Sequence, residues 1–447
     1  MPSIFDRLVA NPSNAQLVQL AAEIDPDAAA TVEAEPAADA APADETVVAE
    51  LTERAEIAED TAAETELAIE VRGDIEQVDA VVIEIAKDDE TAEAMDEAMD
   101  ELTETVVATE SYLKDGGMSA QTAQEHMRNL KRLCGTIGFK LPETMPSFES
   151  FGGSASRYDA TNMIFLEEQK WWQKLWTAIK NFLKSTWDNF VKFIDRIFDG
   201  ATKLKARAAK LKEMIAKRKG SPKNAKVKLG TTVTGYIGDT DIAGASSKIA
   251  DTFEKAMKAA DDRADKFVEL VKSKSHTEYT DKLNAPAIAD VKGPNGWGFK
   301  TTDGKVTWER GNNAITAMEQ EADVLSPNQL AAVINSVEAL ADKLLAAKGN
   351  IGKKSQGFKD AVKFGDDMEA ELSKKGEVSA QEKQRVKTVL SALKDARSCY
   401  INPQVSLMKY GVQAGNAVLD GVAKMLKEYG GKGEDAKKEP GTGVATA

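Results

Sequence analysis

Apolar residues recur at three- and four-residue spacing over most of the chain, so the pattern predicts helices almost throughout. Val48, Leu51, Ala55, Ala58 and Ala62 form a first stripe. Val71, Ile75, Val78, Val82 and Ile85 form a second, and Met95, Met99, Leu102, Val106 and Leu113 a third. Acidic residues fill the other faces, and alanine-rich stripes bury little area, so loosely packed helices are expected there. Asp115-Gly116-Gly117 ends the run, and Ser119 is placed to cap a short helix carrying Met127, Leu130 and Leu133. A loop rich in Pro, Gly and Ser follows, "GFKLPETMPSFESFGGSAS".

The most regular stripe comes next: Trp176, Ile179, Leu183, Trp187, Phe190, Ile194, Ile197, Ala201, Leu204, Ala208, Leu211 and Ile215. It predicts one long amphipathic helix or a helix pair, with Gly200 as the expected break between members. Beyond a Gly/Thr-rich connector, Lys248 to Lys272 reads as a helix. "GWGFKTTDGKVTWER" reads as a β-hairpin around Asp303-Gly304, with Phe299 opposite Trp308. Ser326-Pro327 opens a helix carrying Leu330, Val333, Val337, Leu340 and Leu344, expected to stop at Gly349. Further helices are expected over about 356–375, 379–397 and 403–429.

The predicted fold is mainly α: an acidic, partly disordered N-terminal region, a basic amphipathic helix or helix pair, and a C-terminal helical bundle with one small β-hairpin. The expected segments are a disordered acidic leader (1–46), an acidic helical region (47–135) and a linker (136–161). An aromatic-basic segment (162–228), a C-terminal helical domain with the hairpin near 297–310 (229–430) and a flexible tail (431–447) follow. The leader, rich in Ala, Pro, Asp and Glu over 24–45, has too little apolar area to offset its ordering entropy.

Charge sharpens this division. The net charge of −15 over 447 residues combines two opposite parts. Residues 1–149 carry 35 Asp+Glu and 9 Lys+Arg, a net of −26, while residues 150–447 carry 38 and 49, a net of +11. Residues 163–228 alone hold 17 bases and 6 acids, which equals the whole excess of the second part. Such asymmetry points to an acidic tail or pro-region beside a part that tolerates polyanions.

Catalytic, cofactor and metal signatures are not found. His126 and His276 form no metal or nucleophile pattern with a cysteine, and both are expected at the surface or in loops. No H-E-x-x-H, C-x-x-C, G-x-S-x-G or P-loop pattern occurs, so no enzyme, cofactor or metal is expected. Cys134 and Cys399 make no disulfide framework, and a reduced compartment is expected. No apolar run reaches membrane-spanning length, and "MPSIFDRLVANPS" lacks the basic start and long apolar run of a secretory signal.

Ser147, Phe148, Glu149 and Ser150 lie in the linker, where the charge balance changes sign. They form either a hinge or a processing site, since a flexible loop can extend into a protease cleft. A small residue, any residue, then Glu occurs seven times before Ser150, this site included, and three times after. Acidic and alanine-rich composition produces the same bias.

The acidic Ala/Glu-rich region, the "SFESFGGSASRYDAT" junction, the helix "EEQKWWQKLWTAIKNFLKSTWDNFVKFIDRIF" and "ATKLKARAAKLKEM" together resemble the internal head, or prohead core, proteins of large tailed bacteriophages. The resemblance is strongest over about 140–220, has a weaker echo in the last helix, and leaves 229–400 unassigned. It implies a precursor whose N-terminal propeptide is removed by a prohead protease after a small-x-Glu sequence. Ser147 and Glu149 would then be recognition positions, with the scissile bond between Glu149 and Ser150. It further implies assembly in the host cytoplasm with capsid and prohead core proteins, and retention inside the capsid of the virion with packaged DNA.

For the DNA, anion or membrane face, the candidates are Lys170, Lys174, Lys180, Lys184, Lys203, Lys205, Arg207, Lys210 and Lys212. Any DNA contact expected is to phosphates, without base readout. The aromatic stripe of Trp172, Trp176, Phe182, Trp187 and Phe190 has three open readings: packing in a core, lying on a membrane surface, or binding a helical partner such as a second copy. A membrane-interacting protein masked by its acidic region is the alternative function.

Overall fold

The acidic stripes belong to one continuous helix, α1 (Glu45–Lys114). The computed structural model describes residues 45–136, 145–218, 220–238, 240–273, 285–302, 304–311, 314, 316–374 and 380–429. The leader up to residue 44 and the tail from 430 lie outside these residues. α1 ends where Gly116 and Gly117 take positive φ, and α2 (Ala120–Thr136) begins under Ser119, whose Oγ accepts from the Thr122 N–H at 3.1 Å. Packing of α1 is tighter than its composition suggests. Val71, Val78, Ile85, Leu102 and Val106 are at most 3% exposed. Val71, Val78 and Ile85 join the common core, so the expected looseness does not hold along this face.

α3 (Ser154–Lys217) is a single helix and not a pair. Gly200 does not break it. The glycine is buried beside Val412 and Asp74, where a Cβ would make only ordinary contacts of 3.4 and 3.8 Å. α1 and α3 run antiparallel: Thr109 meets Glu168, Asp88 meets Asn189, Asp74 meets Lys203 and Asp60 meets Lys210.

β1 (Lys226–Leu229), α4 (Thr231–Ile237) and α5 (Ile242–Ser273) follow. β2 (Trp297–Thr302) and β3 (Lys305–Arg310) form the expected hairpin, with Phe299 paired to Trp308 and Gly304 at φ +78° in the turn. β4 (Gln320–Asp323) pairs antiparallel with β1 in a second small sheet that the sequence did not announce. "KVKL" and "QEAD" are too short and polar to signal strands, and their partners are distant in sequence.

α6 (Pro327–Lys374) starts at the expected proline but runs on through Gly349. Its start is closed by Gln329, whose Oε1 accepts from both the N–H and the hydroxyl of Ser326, at 3.0 and 2.8 Å. α7 (Ala380–Leu426) likewise passes through Pro403, where separate helices were expected. Proline removes the N–H that would bond the Cys399 carbonyl. Arg263 of α5 donates to that carbonyl instead, at 3.5 Å, and helix continuity survives.

One core unites these parts: Phe190 and Leu204 of α3, Phe253 of α5, Leu344 of α6, Leu419 of α7, and Val71 and Val78 of α1. Fully burying each such side chain contributes about 1.5–3 kcal/mol.

Candidate processing turn and the paired basic helix

The candidate processing residues form a short 3-10 turn, Phe148–Phe151, just before α3. Phe151 is buried and anchors the turn against its neighbours, while Phe148 is half exposed. Ser147, Phe148 and Glu149 are all exposed, and Ser150 is intermediate. The Ser150 N–H donates to the Ser147 carbonyl at 3.0 Å, and their hydroxyls lie 3.3 Å apart. The turn therefore offers side chains to solvent and has only a few local bonds to break before its backbone extends.

The bases of α3 divide by direction. Lys203, Arg207 and Lys210 face α1. The Lys203 ammonium pairs with Asp74 at 3.0 Å and Glu70 at 3.6 Å. Asp60 sits between Lys210 at 2.6 Å and Lys217 at 2.5 Å. Arg207 is 1% exposed and binds Glu64 at 2.5 Å, Asp420 at 2.8 Å and the Asn416 side chain at 2.5 Å. Lys205 and Lys212 face α6, paired with Asp342 at 2.6 Å and Glu338 at 3.1 Å. Lys170, Lys174 and Lys184 are exposed, and Lys170 pairs with Glu167. The side chain of Lys180 lies outside the described ones. Thus the nine candidates do not share one surface.

Burial pushes the Asp60 carboxyl up, but its bonds to Lys210 and Lys217 outweigh that and hold it below the ordinary 3.8. The bond to Asp74 raises Lys203, and the bond to Asp60 raises Lys217. Both partners are thus held in their charged forms at neutral pH.

The sequence reading missed the carboxylates of this interface. Asp60, Glu64 and Asp74 are buried at stripe positions between Ala55, Ala68, Val71 and Val78. Acids interrupting an apolar stripe opposite a basic helix were the available signal.

Of the aromatic stripe, Phe190 is buried, Phe182 and Trp187 are half-buried, and Trp172 and Trp176 have side chains outside the described ones. Phe190 packs against Phe193, Trp187 and Tyr400 with ring centroids 5.4 to 6.3 Å apart.

His126 corrects its expected surface placement. It is 8% exposed on the packed side of α2, with Nε2 2.6 Å from Glu168 Oε1 and 3.0 Å from the Thr109 hydroxyl. It joins α1, α2 and α3. His276 lies outside the described residues. Cys134 and Cys399 are buried free thiols, and burial pushes Cys399 up to about 11. Among the described residues, no group of three His, Cys, Asp or Glu could hold a metal ion, and no helix is long and apolar enough to cross a membrane.

A family model of phiKZ-like phage internal head proteins matches residues 22–424. The chain belongs to that family. Neither a curated protein nor a solved structure matches it. Membership in the phiKZ-like internal head proteins places the protein inside the phage capsid, with a structural role among head components. The resemblance carried by the junction and the aromatic-basic helix agrees with this match, which also takes in the previously unassigned 229–400 region.

Proposed function

We propose that this internal head protein is made as a precursor, that a prohead protease cuts it between Glu149 and Ser150, and that the remainder stays in the capsid beside the packaged DNA. The observation that carries the reading is the exposed turn at Ser147, Phe148 and Glu149, sited where the charge balance changes sign. Upstream lies a segment of net −26, which would oppose entry of DNA into a closed shell. Downstream lies a segment of net +11 that tolerates phosphates. Cleavage needs only local opening of a short turn, since Ser147, Phe148 and Glu149 are exposed and few bonds hold the turn closed.

The test is the N-terminus of the protein isolated from particles, by intact mass and terminal peptide mapping. A start at Ser150 is expected, and Glu149→Gln should abolish that start. A start at Met1 or Pro2 in the unaltered protein overturns the reading.

A further inference from the structure

We propose that α1 acts as an internal stand-in for nucleic acid: its carboxylates occupy the one face of α3 that would otherwise bind the phosphates of duplex DNA. This rests on reading residues 1–149 as removable.

The face is defined by spacing. Lys203, Arg207, Lys210 and Lys217 are separated by four, three and seven residues, so they lie along one side of α3. At 1.5 Å per residue the row spans about 21 Å, the axial length of roughly six phosphates on one DNA strand. Every one of these four bases has its acidic partner on α1, at Asp74 and Glu70, Glu64, or Asp60. Loss of α1 therefore removes the nearest counter-charge of each of these bases at once, leaving Asp420 on Arg207 and Glu213 3.8 Å from Lys210.

Other bases of α3 would not be released. Lys205 and Lys212 keep Asp342 and Glu338, which belong to α6. Arg207 keeps Asp420 and Asn416 of α7. The cations that lose their nearest partner are Lys203, Lys210 and Lys217, with only the longer Lys210–Glu213 contact of 3.8 Å remaining on α3. With α1 in place these three remain 34%, 25% and 48% exposed, so solvent reaches the ion pairs from the side. A cavity of about 330 Å³ also opens beside the Glu64–Arg207 pair, with Arg72, Lys424 and Lys427 in its wall. Glu64 and Asp420 line the same cavity, and of the row it reaches Arg207 alone. Solvent and salt reach the lysine ends of these pairs while Asp60 and Asp74 stay buried, so phosphates gain the cations once those acids are neutralised or removed.

The experiment measures binding of a duplex of about 30 bp against salt concentration, where each phosphate contact contributes about 0.9 to the slope. The full chain is compared with full-length Asp60→Asn/Asp74→Asn, which removes the nearest counter-charge of each lysine while leaving the Glu64–Arg207 pair intact. Full-length Glu76→Gln/Glu84→Gln is the control, since it changes net charge equally at exposed positions of α1. Asp60→Asn alone serves if the double variant does not stay folded.

The unmasked chain should bind more tightly, with a slope steeper by about two to three. The control should match the unaltered chain, and adding Lys203→Gln/Lys210→Gln/Lys217→Gln should cancel the gain. Equal slopes in all variants overturn the proposal, as does an equal gain in the control. So does preferential binding of polyglutamate over DNA. Protein taken from particles separates this from the processing reading. If it starts at Met1, the processing reading fails while the comparison of full-length variants still decides the masking.

Discussion

At the scale of single residues, Arg207 concentrates the most consequence. Its guanidinium is buried among Glu64, Asp420 and Asn416, three partners from two helices. Arg207→Ala would leave the buried Glu64 carboxylate without its cation, while Asp420 keeps Arg72 at 3.1 Å. Breaking a buried pair from one side costs about 3–5 kcal/mol, to be read as a lower midpoint in urea unfolding. Gly117 offers a second test. It holds φ +102°, and a side chain there would stand 2.7 Å from the backbone of Arg157. Gly116 also has positive φ, at +88°, but faces open space. Gly116→Ala should therefore cost about 1 kcal/mol and Gly117→Ala more than about 2, by thermal unfolding.

At the scale of elements, helix continuity depends on contacts from other helices. α7 survives Pro403 because Arg263 takes up the freed Cys399 carbonyl while also donating to Pro286 at 2.8 Å. Arg263→Met should cost about 1–3 kcal/mol and speed amide exchange near residue 403. The docking of α1 on α3 has its own pH dependence. Asp60 has a folded-state value below 3.8, so its contribution is fully present above that value and lost as pH falls through the lower one. Protection factors of α1 amides around residue 60 should fall below about pH 4 and stay level between about pH 5 and 8.

At the scale of the whole molecule, the two oppositely charged parts are interlocked. α1 pairs with α3 along its length, with Lys409 of α7 through Asp79 at 2.7 Å, and with Lys305 of the hairpin through Glu93 at 2.8 Å. Its Val71, Val78 and Ile85 enter the common core. One cut at Glu149 should therefore leave both pieces together in gel filtration at physiological salt, separating only in denaturant. Removal would then need cuts within α1, where Ala62-Ala63-Glu64 and Ala68-Ile69-Glu70 repeat the small-x-Glu pattern. Particle-associated peptides from 45–149 should accordingly be fragments, by mass spectrometry.

Local signals in the sequence were enough for much of this protein. Spacing at three and four residues depends only on the helix, and it located α1, the buried face of α3 and the start of α6. Asp303-Gly304 set the hairpin register because a two-residue turn leaves one pairing. The charge split needed only counting. Tertiary structure decided the rest. Gly200 and Gly349 read as breaks and separate helices were expected over 379–397 and 403–429, yet each helix runs on, at Pro403 with a distant arginine on the freed carbonyl. The β1–β4 sheet joins residues nearly a hundred positions apart. Above all, basic residues on one helix look alike in sequence. Whether each meets α1, α6 or solvent is set by partners such as Glu64, 143 positions from Arg207, and only the folded arrangement brings them together.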